Sequence, residues 1–170
     1  MNPETTAERV SDLEIVVRRE FNAPARIVFK AWTQPDLFRR WWVPRSLGMK
    51  LLSCDMDVRV GGEYRLVFAH GEGGSMAFFG RYLEVVPDSR LVWTNEEGGE
   101  GGPITTVTFE EKNGRTFLAL TERHSSKQSL DDNLGASEGL RETFSQLDEL
   151  LGLEAPSSTP RTTESARQPG

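Results

Sequence analysis

Cysteine and histidine are scarce in this chain. One cysteine, Cys54, and two histidines, His70 and His124, stand among 170 residues. A single cysteine closes no internal disulfide, and a chain of this size can bury a core without one. Zinc sites draw on clustered cysteine and histidine at short spacing, and these three residues stand far apart, so no metal or cofactor is expected. Cys54 ends the apolar run Met49-Lys50-Leu51-Leu52-Ser53-Cys54, where a buried, inert thiol is expected. Basic charge is also short: 20 lysines and arginines face 26 acidic residues, a net charge of -6. A surface of that sign repels phosphate backbones, which argues against a nucleic-acid partner. No apolar stretch reaches membrane-spanning length, so no membrane insertion is expected. The opening Met1-Asn2-Pro3-Glu4-Thr5-Thr6 lacks the basic and apolar regions of a secretory signal, and a cytoplasmic location is the expectation.

Catalytic signatures are missing too. The glycine runs at 71–74 and 98–102 lack the lysine and following serine or threonine of a phosphate loop, and they read as hairpin turns. No Ser/His/Asp order, Cys/His pairing or carboxylate dyad stands out. His70 and His124 fall at strand ends and read as structural or solvent-facing. From Ala155 to Gly170 the chain has no large apolar residue, and its first residues look similar. Residues 1–11 and 153–170 read as disordered, and 12–152 as one domain.

What is present is a pattern. Leu13 to Phe21 is a β-branched run suited to a strand. Pro24 can start a helix because the missing N–H had no partner there, and Ile27, Val28, Ala31 and Trp32 recur at helical spacing. A second short helix runs from Pro35 to Trp41-Trp42 and stops at Pro44. Strands follow: Tyr64, Leu66 and Phe68 alternate with charged residues, Met76–Val86 is a longer strand, and Gly80 within it suggests a bulge or bend. Leu91 with Trp93, Val107 with Phe109, and Leu118 with Leu120 continue the alternation to about His124. Asn113-Gly114 turns the last hairpin. A final helix is expected over 130–151, capped by Ser129 and ended by Gly152, with Leu134, Leu140, Phe144, Leu147 and Leu151 on one face. Tight turns make consecutive strands antiparallel. A sheet with one apolar face and one long helix to cover it is expected to curve around that helix. The fold class is therefore α+β: about six to seven antiparallel strands around a long C-terminal helix, with two short helices after the first strand.

Several motifs resemble a known family. Phe21-Asn22-Ala23-Pro24 with Val28, Ala31-Trp32-Thr33 and Pro35 resembles its opening. Arg40-Trp41-Trp42-Val43-Pro44 is similar to its Trp-Trp-x-Pro signature, and Asp57-Val58-Arg59-Val60-Gly61-Gly62 to its Asp-x-Arg-x-Gly-Gly segment. Gly80 to Pro87 followed by Arg90-Leu91-Val92-Trp93-Thr94 resembles the central hairpin. The family is that of the activator of heat shock protein 90 ATPase, homologue 1-like. It lies in the START-like, SRPBCC (helix-grip, Bet v 1-like) superfamily with lipid carriers, polyketide cyclases and the birch-pollen allergen. The resemblance implies a helix-grip fold with a hydrophobic cavity. The chain departs from the pattern at Val60, where the family often has proline, and at Gly139-Leu140, where it often has Gly-Trp.

The pocket wall expected from these readings comprises Trp42, Tyr64, Phe68, Phe78, Trp93, Phe109, Leu140 and Phe144. Such a wall suits a hydrophobic or aromatic small molecule, and the chain reads first as a non-catalytic binding domain. Two further readings come with the resemblance: a polyketide cyclase- or hydratase-like enzyme, and a cochaperone-like module acting on a chaperone ATPase. Tyr82 and Glu84, two apart on one strand, are the candidate proton-transfer pair for the enzyme. Asp57 and Arg59, also two apart, read as a surface ion pair, or else as an anion contact at the pocket rim.

Overall fold

The computed structural model describes residues 5–70, 73–99 and 101–154, with backbone alone for His70, 135–138 and 153–154. Eight strands form one antiparallel sheet in the order β1-β2-β8-β7-β6-β5-β4-β3. They are β1 (Thr6–Arg9), β2 (Glu14–Phe21), β3 (Lys50–Met56), β4 (Glu63–His70), β5 (Gly74–Val86), β6 (Arg90–Thr94), β7 (Ile104–Lys112) and β8 (Arg115–Arg123). The helices are α1 (Ala25–Thr33), α2 (Pro35–Trp41), α3 (Lys127–Asp132) and α4 (Leu134–Glu154). The α+β helix-grip architecture expected from the sequence is the one observed, with one more strand than the upper count.

That extra strand, β1, lies in the segment read as disordered. It pairs with β2 from Thr6 opposite Arg18 to Arg9 opposite Ile15. Its sequence, Thr-Ala-Glu-Arg, has no apolar alternation; backbone pairing to the β2 edge holds it. Buried Thr5 adds to this by accepting a hydrogen bond from Arg19 Nη1 at 3.1 Å. Of the tail read as disordered, 153–154 continue the last helix and 155–170 lie outside the described residues.

The long final helix is two helices. Ser126, not Ser129, caps the first by accepting from Ser129 N at 3.1 Å. Ser129 Oγ instead meets His124 Nδ1 at 2.8 Å. Leu130 is buried on α3, while Leu134, expected on the inner face, is exposed. The helix α4 runs past Gly152 to Glu154.

Glycine has a clear cause at two family-like positions. A Cβ on Gly62 would sit 2.0 Å from the Asp57 carbonyl oxygen, and one on Gly80 would sit 2.1 Å from the Thr94 carbonyl oxygen. Gly80 thus lets β5 lie directly on the end of β6, and the register then slips between Tyr82 and Glu84. The strand β5 pairs with β4 through its first part and with β6 through its last.

The core lies between the sheet, α1, α2 and α4. Trp32 is its hub. Its ring meets Trp41 at 4.8 Å, Trp93 at 6.0 Å, and Phe109 and Phe144 at 6.1 Å. Phe144 also packs edge-on against Phe21 at 5.9 Å. On the sheet side, α4 packs mainly on β1 and β2. The half of the sheet built from β4, β5 and β6 therefore faces the helices across a gap.

Candidate functional site: cavities between the sheet and the last helix

Three adjoining cavities lie between the sheet and the helices, and Trp42 and Phe78 line all of them. The first, about 50 Å³, is walled by Trp32, Phe38, Met56, Tyr64, Tyr82 and Trp93 among others. The second, about 210 Å³, has Ile15, Trp93, Asn95, Thr105, Glu122 and Leu140 in its lining. The third, about 350 Å³, runs past Val43, Met49, Phe68, Leu140 and Thr143.

The position of Trp42 follows from the helix facing it. The carbonyls at the end of α2 lose their helical partners, and α4 supplies new ones. Buried Gln146 donates through Nε2 to the carbonyls of Trp41 and Val43, at 2.9 and 2.8 Å, and accepts from Arg45 N at 2.9 Å. Thr143 donates to the Trp42 carbonyl at 3.3 Å, and Glu142 accepts from Ser46 N at 2.9 Å. The Ser46 hydroxyl and then the Ser46 N–H, both donating to Glu142, hold its carboxyl below the usual range. Residues 142, 143 and 146 share one face of α4, so one helix stripe pins the whole Trp-Trp-Val-Pro segment. Trp41 then turns inward, is fully buried, and donates from Nε1 to the Ala31 carbonyl at 3.0 Å. Trp42 turns toward the gap and stacks on Phe38 at 4.8 Å.

The eight residues expected at the pocket wall separate into two groups. Trp42, Tyr64, Phe68, Phe78, Trp93 and Leu140 line at least one cavity. Phe109 and Phe144 line none of the three; both are buried against Trp32, because α1 and α4 close down on them. The Tyr82 and Glu84 pair does not form. The register slip between them turns Glu84 outward to Arg90, at 2.9 Å, while Tyr82 stays buried. Asp57 and Arg59 do pair, at 2.9 Å, as an exposed ion pair at the turn before β4.

Sequence reading missed the polar groups of the second cavity. On β6, Leu91 and Trp93 point inward, and the same parity carries Asn95 in. Its Nδ2 donates to the Pro103 carbonyl and to Thr105 Oγ1, both at 2.9 Å. The Tyr64 hydroxyl donates to the Thr94 carbonyl at 2.7 Å, and burial pushes its ionisation far above the ordinary range. Burial also raises Tyr82 and pushes the Cys54 thiol up to about 11. On β8, Thr116, Leu118 and Leu120 face inward, and parity places Glu122 with them. Glu122 accepts from His124 Nε2 at 2.9 Å. An ionised carboxylate only accepts, so Nε2 carries the proton. The His124 side chain has no exposure, and it ties β8 to α3 through Ser129. Among the described residues, no group of three His, Cys, Asp or Glu side chains is placed to hold a metal ion. No helix among them is long and apolar enough to cross a membrane.

A profile of the family described as "Activator of Hsp90 ATPase homolog 1-like protein" matches residues 22–152. The chain belongs to this family. The matched span takes in all four tryptophans, the two glycine contacts and all of the cavity lining except Ile15 and Val17 of β2. Solved structures agree on the fold. A crystal structure of a protein from Rhodobacter sphaeroides aligns with a TM-score of 0.81 at 23% identity, covering 89% of this chain and 100% of that one. One from Nitrosomonas europaea gives 0.75 at 26% identity, over 86% and 98%. One from Chromobacterium violaceum gives 0.67 at 30% identity, over 81% and 96%. No curated protein matches the chain.

Proposed function

We propose that this domain is a non-catalytic binder of a small apolar or aromatic molecule, held between the sheet and α4. The cavity system carries the reading. Its largest member, about 350 Å³, falls within the size range of ligand pockets, and aromatic and aliphatic side chains dominate all three walls. A second observation supports it. Trp32 lines the first cavity, and its indole N–H is buried without a partner. A buried unpaired donor costs about 1–3 kcal/mol, which an oxygen acceptor on a ligand would recover.

The test is a titration with N-phenyl-1-naphthylamine, a neutral apolar fluorophore. The expected result is a saturable rise in emission at one equivalent. Leu140→Trp, which fills the space between the second and third cavities, should abolish the rise with the circular dichroism unchanged. No saturable binding to the native protein would overturn the reading.

A further inference from the structure

The next step rests on the cavity reading and concerns the charge of the occupant. Glu122 stands on the concave face of the sheet, opposite Ile15 of β2 and Thr105 of β7. Thr105 in turn pairs with Trp93 of β6. These four residues form one cross-strand row, and all four line the second cavity. Glu97, from the loop after β6, lines the same cavity, and Glu142 lines the third. Among the described residues, these three carboxylates are the only charged groups lining the three cavities. No lysine or arginine lines any of them.

Hydrogen bonding points the same way. Both Asn95 amide protons are spent on Pro103 and Thr105, and the Tyr64 hydroxyl proton goes to Thr94. Among the described residues, Glu122 receives one donor, His124 Nε2, on one of its two oxygens. Among the described residues, Glu97, itself exposed, accepts one long bond, from Phe79 N at 3.3 Å. Apart from the second Asn133 amide proton and the Thr105 hydroxyl, the polar wall thus offers acceptors and negative charge. Trp42, Trp93 and Phe78 line the same cavity, and aromatic rings attract a cation. An ammonium group has three donors and no acceptor, and it matches that wall; a carboxylate would meet like charge. The buried Trp32 N–H lies apart from this, in the wall of the first cavity, where the lining is mostly aromatic.

We propose that the cavity selects an apolar or aromatic amine, its hydrocarbon part against Phe78, Trp42 and Trp93 and its ammonium group at Glu122 and Glu97. The full chain would be titrated by calorimetry at pH 7 and low salt with 4-phenylbutylamine, 4-phenylbutyrate and 4-phenylbutanol. The amine is expected to bind at least about tenfold more tightly than the acid, with the alcohol between them. Glu122→Gln should erase most of that preference by weakening the amine toward the alcohol. Glu97→Gln, which does not touch His124, should lower amine affinity without disturbing the fold. An alcohol that binds as well as the amine, or an acid that binds better, overturns the charge selection and leaves the cavity reading standing. If none of the three binds while the neutral fluorophore does, the amine proposal falls alone. If the fluorophore also fails, both fall.

Discussion

Phe144 and Leu140 stand one turn apart on the same helix and meet opposite conditions. Phe144 is fully buried between Phe21 and Trp32, at 5.9 and 6.1 Å. Leu140 is half-buried and borders two cavities. Near Phe144 the helix rests on β2 and on α1. Near Leu140 it faces Trp42 and Phe78 across open space. The two ends of one apolar stripe therefore do different work. One closes the core, and the other leaves room that the aromatic walls do not fill. Hydrophobic patterning marks both as inward without separating them, because it reports which face is apolar and not what lies opposite.

Substitution should expose that contrast. Phe144→Ala is expected to cost about 3–5 kcal/mol in urea denaturation, since it opens a new void in packed surroundings. Leu140→Ala should cost about 1 kcal/mol, because the void beside it already exists. Equal losses at the two sites would erase the distinction. Gly80→Ala comes next. Its methyl group would collide with the Thr94 carbonyl, so β5 must leave β6, at about 2 kcal/mol. It should also disturb the cavity side, where Tyr82 and Trp93 stand opposite one another across that junction. Retained stability there would mean that the strands slide freely.

Cys54, half-buried on β3 rather than fully buried as expected, probes how dry that edge of the sheet is. Its thiol, held up to about 11 by burial, should react with iodoacetamide at pH 8 about a hundredfold more slowly than in the urea-unfolded chain. The folded protein keeps its proton more tightly than the unfolded chain, whose thiol titrates near 9.0. Stability from this group is therefore complete below pH 9 and declines as pH rises toward 11, with Tyr64 and Tyr82 acting in the same direction. Native reactivity equal to that of the unfolded chain would show that water reaches β3 freely. The smallest effect belongs to Arg59→Ala. It breaks an exposed ion pair away from both regions and should change stability by less than about 0.5 kcal/mol.

Much of the fold was legible in the residues. Alternation located the strands of the meander, Pro24 and Pro35 opened the two short helices, and Gly62 and Gly80 have a direct cause in backbone contact. The strand β1 was not legible, because main-chain pairing to β2 carries it and its side chains alternate in no apolar pattern. The break between α3 and α4 was hidden by a leucine pattern that continues through Asn133, and by a rival cap at Ser126. Six of the eight wall residues line a cavity, whereas Phe109 and Phe144 could be assigned only by knowing where α1 and α4 press. Glu122 was within reach. Strict alternation on β8 places it inward, and following only the apolar residues of that strand passed it over.

The shared partition between the three cavities bears on how fast anything could come and go. Trp42 is clamped, with its ring stacked on Phe38 and its carbonyl bonded to Thr143 of α4. Phe78 projects from β5, and among the described residues its ring meets one other aromatic ring, Phe68 at 5.2 Å. Of the two walls, Phe78 has the fewer ring neighbours, and it too packs against the core. Merging the rooms would then require a rotamer change of a half-buried ring, slower than the nanosecond flips of exposed side chains. A guest would exchange at a rate set by that ring as well as by its own hold on the walls.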